Sequence, residues 1–306
     1  MQHFSLNLEN ELFALHDDLV QERYCHGSYA GFYLHDPKLR HIHKASVRDR
    51  IVHHVVMRAI EDRFEPGFIH DSYSSRIGKG THRAVERFRT FAWKLSRNDT
   101  KKVWILKCDI RRFFDSVNHE ILKKLIHRRV KCPKTLQLLD IIIDSFSVDS
   151  GKGIPLGNVT SQLFSNIYLN ELDQFIKRRL RIKYYVRYAD DFVLLSRDKA
   201  KLETALVSIR RFLTVMLDME LHPKKVSFQK WHQGVDFLGY ISFPHHTLVR
   251  TKTKKRMYRK MKMRAEMAKN KIISTESLNQ SLQSYLGITK HARGKNIEKK
   301  LMSVIQ

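Results

Sequence analysis

The stretch YYVRYADDFVLL, Tyr184 to Leu195, decides how the rest of the chain is read. Two arms of apolar and aromatic residues flank Ala189-Asp190, a pattern that predicts a β-hairpin. Upstream, VWILKCDI (Val103 to Ile110) is an apolar run of strand length, and Ile121, Leu122, Leu125 and Ile126 follow it at helical spacing. Between these and the hairpin, a Gly- and Pro-containing loop, Gly151 to Gly157, precedes a helix marked by Leu163, Ile167, Leu172, Phe175 and Ile176. Lys201 to Leu217 reads as a helix and GVDFLGYISF, Gly234 to Phe243, as a strand pair. Nearer the start, Ile51, Val55, Ala59 or Ile60, and Phe64 keep helical spacing up to a turn at Glu65-Pro66-Gly67. The order β, α, α, β-hairpin, α, β predicts an α+β fold with helices backing an antiparallel sheet.

Composition limits the function classes. The 306 residues are 42% apolar and 10% aromatic, enough for a globular core, and 57 Lys and Arg against 31 Asp and Glu leave a formal charge of +26. Such an excess implies a polyanionic partner, nucleic acid first. With no apolar run of membrane-spanning length and no signal-peptide core, a cytoplasmic protein with no membrane partner is expected. Cys25, Cys108 and Cys132 are far apart and read as reduced thiols. The pairs His41/His43, His53/His54 and His245/His246 lack companion ligands at a recognised spacing, so no histidine metal site is expected. Charge is unevenly placed: residues 1 to 20 are near neutral or acidic, whereas Arg250 to Arg264 hold nine Lys and Arg and no acid.

Asp109 closes a strand, and Asp190 and Asp191 sit at the tip of a hairpin beside Tyr188 and Phe192. Neighbouring carboxylates repel, so an Asp-Asp pair between apolar arms is explained by a divalent cation, and oxygen ligands suit magnesium, with manganese as a substitute. Two such ions about 4 Å apart activate a hydroxyl and stabilise a leaving pyrophosphate in an in-line displacement. In isolation, Asp-Asp is more often a polar turn.

Seven ordered segments settle that choice. YADD (Tyr188 to Asp191), KCDIRRFFDSV (Lys107 to Val117), IPLGNVTSQLFSNIYL (Ile154 to Leu169), RHIHKASVRDR (Arg40 to Arg50), SSRIGKGTH (Ser74 to His82), LHPKKVSF (Leu221 to Phe228) and FLGY (Phe237 to Tyr240) together resemble the reverse transcriptase family over roughly Asp36 to Lys290. The resemblance implies a right-hand polymerase fold. Its fingers would occupy residues 1–103, its palm 104–245 with a fingers–palm loop at 150–162, and its basic helical thumb 246–306. It implies an RNA-directed DNA polymerase in which Asp109, Asp190 and Asp191, with the Ile110 carbonyl, hold the metals. Phe114 would lie under the incoming sugar, Arg76 grip the triphosphate, Gly157 lie against the nucleotide, and Lys225 stand near the leaving pyrophosphate, with Lys224 the neighbouring alternative.

Where the common family pattern has Gln-Gly and Ser-Pro, this chain has Leu156-Gly157 and Ser161-Gln162. That departure resembles reverse transcriptases of diversity-generating retroelements, which copy RNA with errors at adenines. An aliphatic Leu156 makes none of the hydrogen bonds of a glutamine, which weakens discrimination. SYLGITKHA (Ser284 to Ala292) resembles the same subgroup, while antiphage and group II-intron-like enzymes are the alternatives, and a degenerate RNA-binding scaffold is the non-enzyme one. In the tail, Met257, Tyr258, Met261 and Ala265 form an apolar stripe. Arg250, Lys252, Lys254, Lys255, Arg256, Arg259 and Lys260, with Tyr188 in the palm, are the expected nucleic-acid contacts. The implied partners are template RNA, primer and cDNA, dNTPs, and a small basic accessory protein within a ribonucleoprotein.

Overall fold

The computed structural model describes residues 7–35 and 39–304. Residues 1–6 of the acidic start and Asp36, where the resemblance begins, lie outside the described residues. The chain opens with α1 (Leu8–Val20), a hairpin of β1 (Ala30–Leu34) and β2 (Arg40–Lys44), then α2 (Val47–Phe64) and α3 (Thr81–Ser96). Next come β3 (Trp104–Asp109), the single turn α4 (Phe113–Ser116), α5 (His119–His127), α6 (Pro133–Asp144) and α7 (Val159–Gln174). The central hairpin is β4 (Tyr185–Tyr188) and β5 (Asp191–Ser196), followed by α8 (Lys199–Leu217) and β6 (Ser227–Lys230). A meander of β7 (Val235–Phe237), β8 (Tyr240–Ser242) and β9 (Thr247–Val249) leads into α9 (Thr251–Lys269), α10 (Thr275–Thr289) and α11 (Lys295–Met302).

Local chemistry sets several of these boundaries. Ser46, Asn118, Asp198 and Ser274 each accept a backbone N–H from the first turn of the helix they precede, and Pro133 opens α6 where its missing N–H costs nothing. The helix expected from Ser161 to Leu180 runs as α7 and then widens into a π-turn over Phe175–Arg179.

The main sheet has the order β4-β5-β3-β6 and every pairing is antiparallel. Strand alternation sends Leu106, Cys108, Tyr185, Phe192 and Leu194 into one core with Leu122, Leu163, Phe164, Leu172, Ile209 and Leu213 of α5, α7 and α8. Ile105, Val186, Val193 and Leu195 enter a second core with Ala84, Val85 and Phe88 of α3, Trp231, Phe237, Met257 and Met261. Both faces are covered, which is why VWILKCDI is a continuous apolar run instead of an alternating one. Truncating a fully buried leucine such as Leu106 should cost about 2–5 kcal/mol.

The β1–β2 hairpin is fastened to the body mainly by its second strand. The His43 N–H donates to the Leu156 carbonyl at 3.0 Å, and the Asn158 amide donates to the His43 carbonyl at 2.9 Å. Gly157 makes this approach possible: at φ +116° it is in a glycine conformation, and an added Cβ would lie 2.8 Å from Ile42. At the other end, β9 pairs with β8 across the expected palm–thumb boundary at residue 246. The predicted apolar stripe docks α9, with Met257 and Met261 fully buried and Tyr258 and Ala265 packed beside them.

Candidate active site

Strand register brings the acids together. Asp109 is directly opposite Asp191 across the β3–β5 pair, and Tyr188 pairs with Asp191 across β4–β5, which leaves Ala189 and Asp190 as the turn. Ala189 sits at φ +51°, a left-handed conformation costing about 1 kcal/mol for a residue with a side chain. Two hydrogen bonds hold the turn there. An Arg187 guanidinium N–H donates to the Ala189 carbonyl at 3.2 Å, and the Ile110 N–H donates to the Asp190 carbonyl at 3.2 Å.

Arg187 and Asp173 are both buried, and the guanidinium grips the carboxylate through two bonds of 2.8 and 2.7 Å. The Tyr185 hydroxyl donates to the same carboxylate at 2.7 Å, which helps push the phenol well above its ordinary range after burial itself. A second arm reaches the fingers side. The Arg187 backbone N–H donates to the Asp71 carbonyl, the Arg187 carbonyl accepts from the Tyr73 N–H, and Asn166 links the guanidinium at 3.4 Å to the Ser74 carbonyl at 2.9 Å. The Ala189–Asp190 turn thus rests on a buried ion pair that also fixes the 71–74 segment.

Burial raises the Asp190 carboxyl above the usual range, and the neighbouring Asp109 adds to it. The Asp190 backbone amide, then Lys225 and, least, Arg40 of β2 draw it back down. Burial pushes Asp191 up to about 6; Lys107 opposes the shift, while Asp109 and Asp190 reinforce it. Two ammonium groups hold the acids meanwhile, Lys225 at 2.7 Å from Asp109 and Lys107 at 3.8 Å from Asp191. Among the described residues no three His, Cys, Asp or Glu side chains are gathered closely enough to chelate an ion as they stand. The donor set nevertheless fits magnesium in kind. The donors are all oxygen, two of the acids are disfavoured as bare anions, and the Asp191 Oδ1 is buried with no hydrogen-bond partner. Ile110 forms an isolated antiparallel bridge with Leu221, and because its N–H faces Asp190, its carbonyl lies on the same side.

The family model described as reverse transcriptase (RNA-dependent DNA polymerase) matches residues 35–242, which include all three acids and the elements that carry them. The chain belongs to the reverse transcriptase family. It is 29% identical over 285 residues to protein YkfC of Escherichia coli K12, covering 80% of this chain and 72% of that protein. It is 22% identical over 271 residues to the group II intron-encoded protein LtrA of Lactococcus lactis, covering 66% of this chain and 44% of that one. In fold it resembles telomerase from Candida tropicalis solved with a TWJ fragment of telomeric RNA, with a TM-score of 0.56 at 12% identity over 91% of this chain and 56% of that one. The chain therefore spans about half the length of LtrA and of the telomerase.

Within this reverse transcriptase the remaining residues expected at the site are placed as follows. Phe114 is half-buried, edge-on to Phe113, and its carbonyl accepts from the Ile154 N–H at 2.8 Å, so it is joined to the 150–162 loop. In that loop Leu156 is half-buried and Gln162 exposed at the start of α7. Of the two neighbouring lysines it is Lys225 that bonds to an acid, Asp109, while Lys224 is exposed. Tyr188 is half-buried against the second core.

Arg76 is not presented to the cleft. Its guanidinium is bound to Glu65 at 2.6–3.0 Å and to the Ile69 carbonyl and Ser72 at 2.7–2.9 Å, with only 6% of the side chain exposed. A triphosphate would have to take it from Glu65. Arg250 is likewise engaged, with Asp236, at the head of α9. Lys252, Lys255 and Arg259 form the exposed face of that helix, with Lys254, Arg256 and Lys260 at its half-buried flanks.

Sequence reasoning left Lys107, Arg187 and Arg40 unassigned. A signal existed for Arg187, because a charge in the centre of an apolar strand arm requires a buried counter-ion. Asp173, in a helix rich in apolar residues, was the one to pair with it.

Proposed function

We propose that this chain extends a primer on an RNA template with deoxynucleotides, and that it copies with errors at template adenines in a diversity-generating retroelement. The cross-strand Asp109–Asp191 pair beside the Asp190 turn, with one carboxylate oxygen buried and unpartnered, carries the first part. Magnesium, or manganese in its place, held by Asp109, Asp190, Asp191 and the Ile110 carbonyl, would activate the primer hydroxyl and neutralise the leaving pyrophosphate. Lys225 then contributes positive charge to the same phosphates, and Arg40 adds to it from the fingers. Phe114 excludes a 2′-hydroxyl, and the exposed face of α9 tracks the primer–template backbone through Lys252, Lys255 and Arg259. Template RNA, the growing cDNA and dNTPs are the substrates, and an accessory protein completes a ribonucleoprotein.

Leu156 and Gln162 support the error-prone reading, since the half-buried aliphatic side chain of Leu156 has no group that could hydrogen-bond to a nucleotide. The similarity to LtrA favours a second reading, a group II-intron-like enzyme with ordinary fidelity. Primer extension on RNA separates the two. The natural chain should incorporate dNTPs and misincorporate opposite adenine, Leu156→Gln should lower those errors, and Phe114→Val should admit ribonucleotides. Uniform errors at all four template bases would favour the intron-like reading, and unchanged errors in Leu156→Gln would remove Leu156 from fidelity.

A further inference from the structure

The end of the palm sheet farthest from the acids carries a cluster that the polymerase reading does not use. Trp104 begins β3, pairing with Ser196 of β5 and Lys230 of β6, five residues and about 17 Å along the strand from Asp109. Three ammonium groups converge on its ring, with Lys102, Lys230 and Lys199 at 4.7, 5.3 and 5.4 Å from the centroid. Lys101 and Arg197 are exposed on the segments that flank β3 and β5, and Lys201 is exposed in the first turn of α8. The segment between β5 and α8 is braced against the end of α3, because the Arg197 guanidinium donates to the Leu95 carbonyl at 2.6 Å. Nearby acids do not balance this charge. Glu203 pairs with Lys199 and Asp198 caps α8, while Asp99 faces His245, so the acids are fewer than the six cations and none is paired with Lys102 or Lys230 among the ion pairs of the described residues.

Like charges at this separation repel with only partial screening, and the indole face offsets a modest part of the cost for each. A ring that gathers three lysines, beside three further cations on a braced surface, is pre-organised for a multivalent anion. We propose that this distal cluster is a second RNA-binding surface, which holds the phosphate backbone of an RNA segment lying outside the primer–template cleft. The proposal rests on the reading of the chain as a polymerase of RNA templates, but it concerns a different face. A duplex engaged at Asp109 lies at the other end of the strands, and both sheet faces between the two ends are covered by helices. RNA is favoured over an acidic protein segment because evenly spaced phosphates engage several flexible ammonium groups at once, with release of counterions.

The test uses the full chain with its cleft saturated by a short unlabelled primer–template, and follows binding of a labelled RNA hairpin of about 20 base pairs across a salt series. Lys102→Ala/Lys199→Ala/Lys230→Ala should weaken hairpin binding about tenfold or more. It should also reduce the slope of log affinity against log salt by about two to three, near 0.9 for each phosphate that is no longer neutralised. The corresponding triple Lys→Arg variant should retain both. Extension of the short primer–template and the melting temperature should not change in either variant. Unchanged hairpin affinity and slope in the alanine variant would overturn the proposal. So would a parallel loss of primer–template extension, which would assign the lysines to the cleft, or displacement of the hairpin by polyglutamate as readily as by RNA. A natural chain that binds the hairpin but never extends a primer would defeat the polymerase reading and leave this surface standing.

Discussion

Replacing Asp173 by alanine should reveal how much the Ala189–Asp190 turn depends on a buried ion pair. The change leaves the Arg187 guanidinium, 1% exposed, with only the Ala189 carbonyl at 3.2 Å and the Asn166 amide oxygen at 3.4 Å, and it removes the acceptor of the Tyr185 hydroxyl. An uncompensated buried charge costs about 3–5 kcal/mol, and the lost phenol hydrogen bond adds about 1 kcal/mol. Against a total stability of about 5–15 kcal/mol this is a large share, and the midpoint of thermal unfolding should fall by on the order of 10 °C. Asp173→Leu/Arg187→Met removes both charges together and should unfold within about 2 kcal/mol of the natural chain, since a well-packed apolar pair replaces a buried ion pair at little cost. The double variant still loses the donor to the Ala189 carbonyl, so its primer-extension rate should drop while its fold persists. Chemical denaturation followed by circular dichroism measures the first effect, and single-turnover extension the second. A loss below about 1 kcal/mol in Asp173→Ala, or a double variant as unstable as the single one, would refute the reasoning.

Further outcomes follow from other residues. Burial lowers the His53 imidazole from 6.5 to about 4, with His26 at 2.9 Å adding to the shift, so the folded chain keeps it neutral where the unfolded chain binds a proton. Stability should therefore fall by up to about 3 kcal/mol as pH drops from 6.5 to 4, and His53→Asn should flatten that part of the denaturation profile. Gly157→Ala forces a side chain into a conformation at φ +116° and against Ile42, and should destabilise the chain by about 1–3 kcal/mol, read as a lower urea midpoint. Arg76→Ala should lower the melting temperature about as much as Glu65→Ala, because the two close one clamp. An Arg76→Ala chain with normal melting and a raised dNTP KM would instead place Arg76 on the triphosphate. Asp191→Asn removes one of three crowded acids and should melt above the natural chain in the absence of divalent metal while losing extension.

Much of this architecture was legible in the residues. The hairpin at Tyr184 to Leu195, the strand ending at Asp109 and the helix expected from Lys201 to Leu217, which begins at Lys199, all have a period or an apolar run that nothing else explains, and register alone then brings Asp109 opposite Asp191. The helix α6 also had its signals, Pro133 in the first turn and Leu139, Ile142 and Ile143 on one face, although the sequence reading left it unassigned. The β1–β2 hairpin was harder to see. Its residues are largely exposed on both strands, so no alternation marks them, and its position depends on hydrogen bonds to Leu156 and Asn158 more than a hundred residues away. Arg76 shows a different limit. A guanidinium in a Gly-flanked loop is equally suited to a phosphate or to a carboxylate, and only the fold reveals that Glu65 lies within reach. Arg187 and Asp173, fourteen residues apart, show that a buried pair is visible only when both charges are recognised as internal.

The central claim is that three acids joined by strand register make this chain a polymerase of RNA templates. Its most direct test is extension of a primer on an RNA template with dNTPs and magnesium, by the natural chain and by Asp190→Ala, with any required RNA or protein partner supplied to both. The account predicts full-length cDNA from the natural chain and none from the variant, with equal primer–template binding by the two. No extension by the natural chain, or equal extension by both, would contradict it.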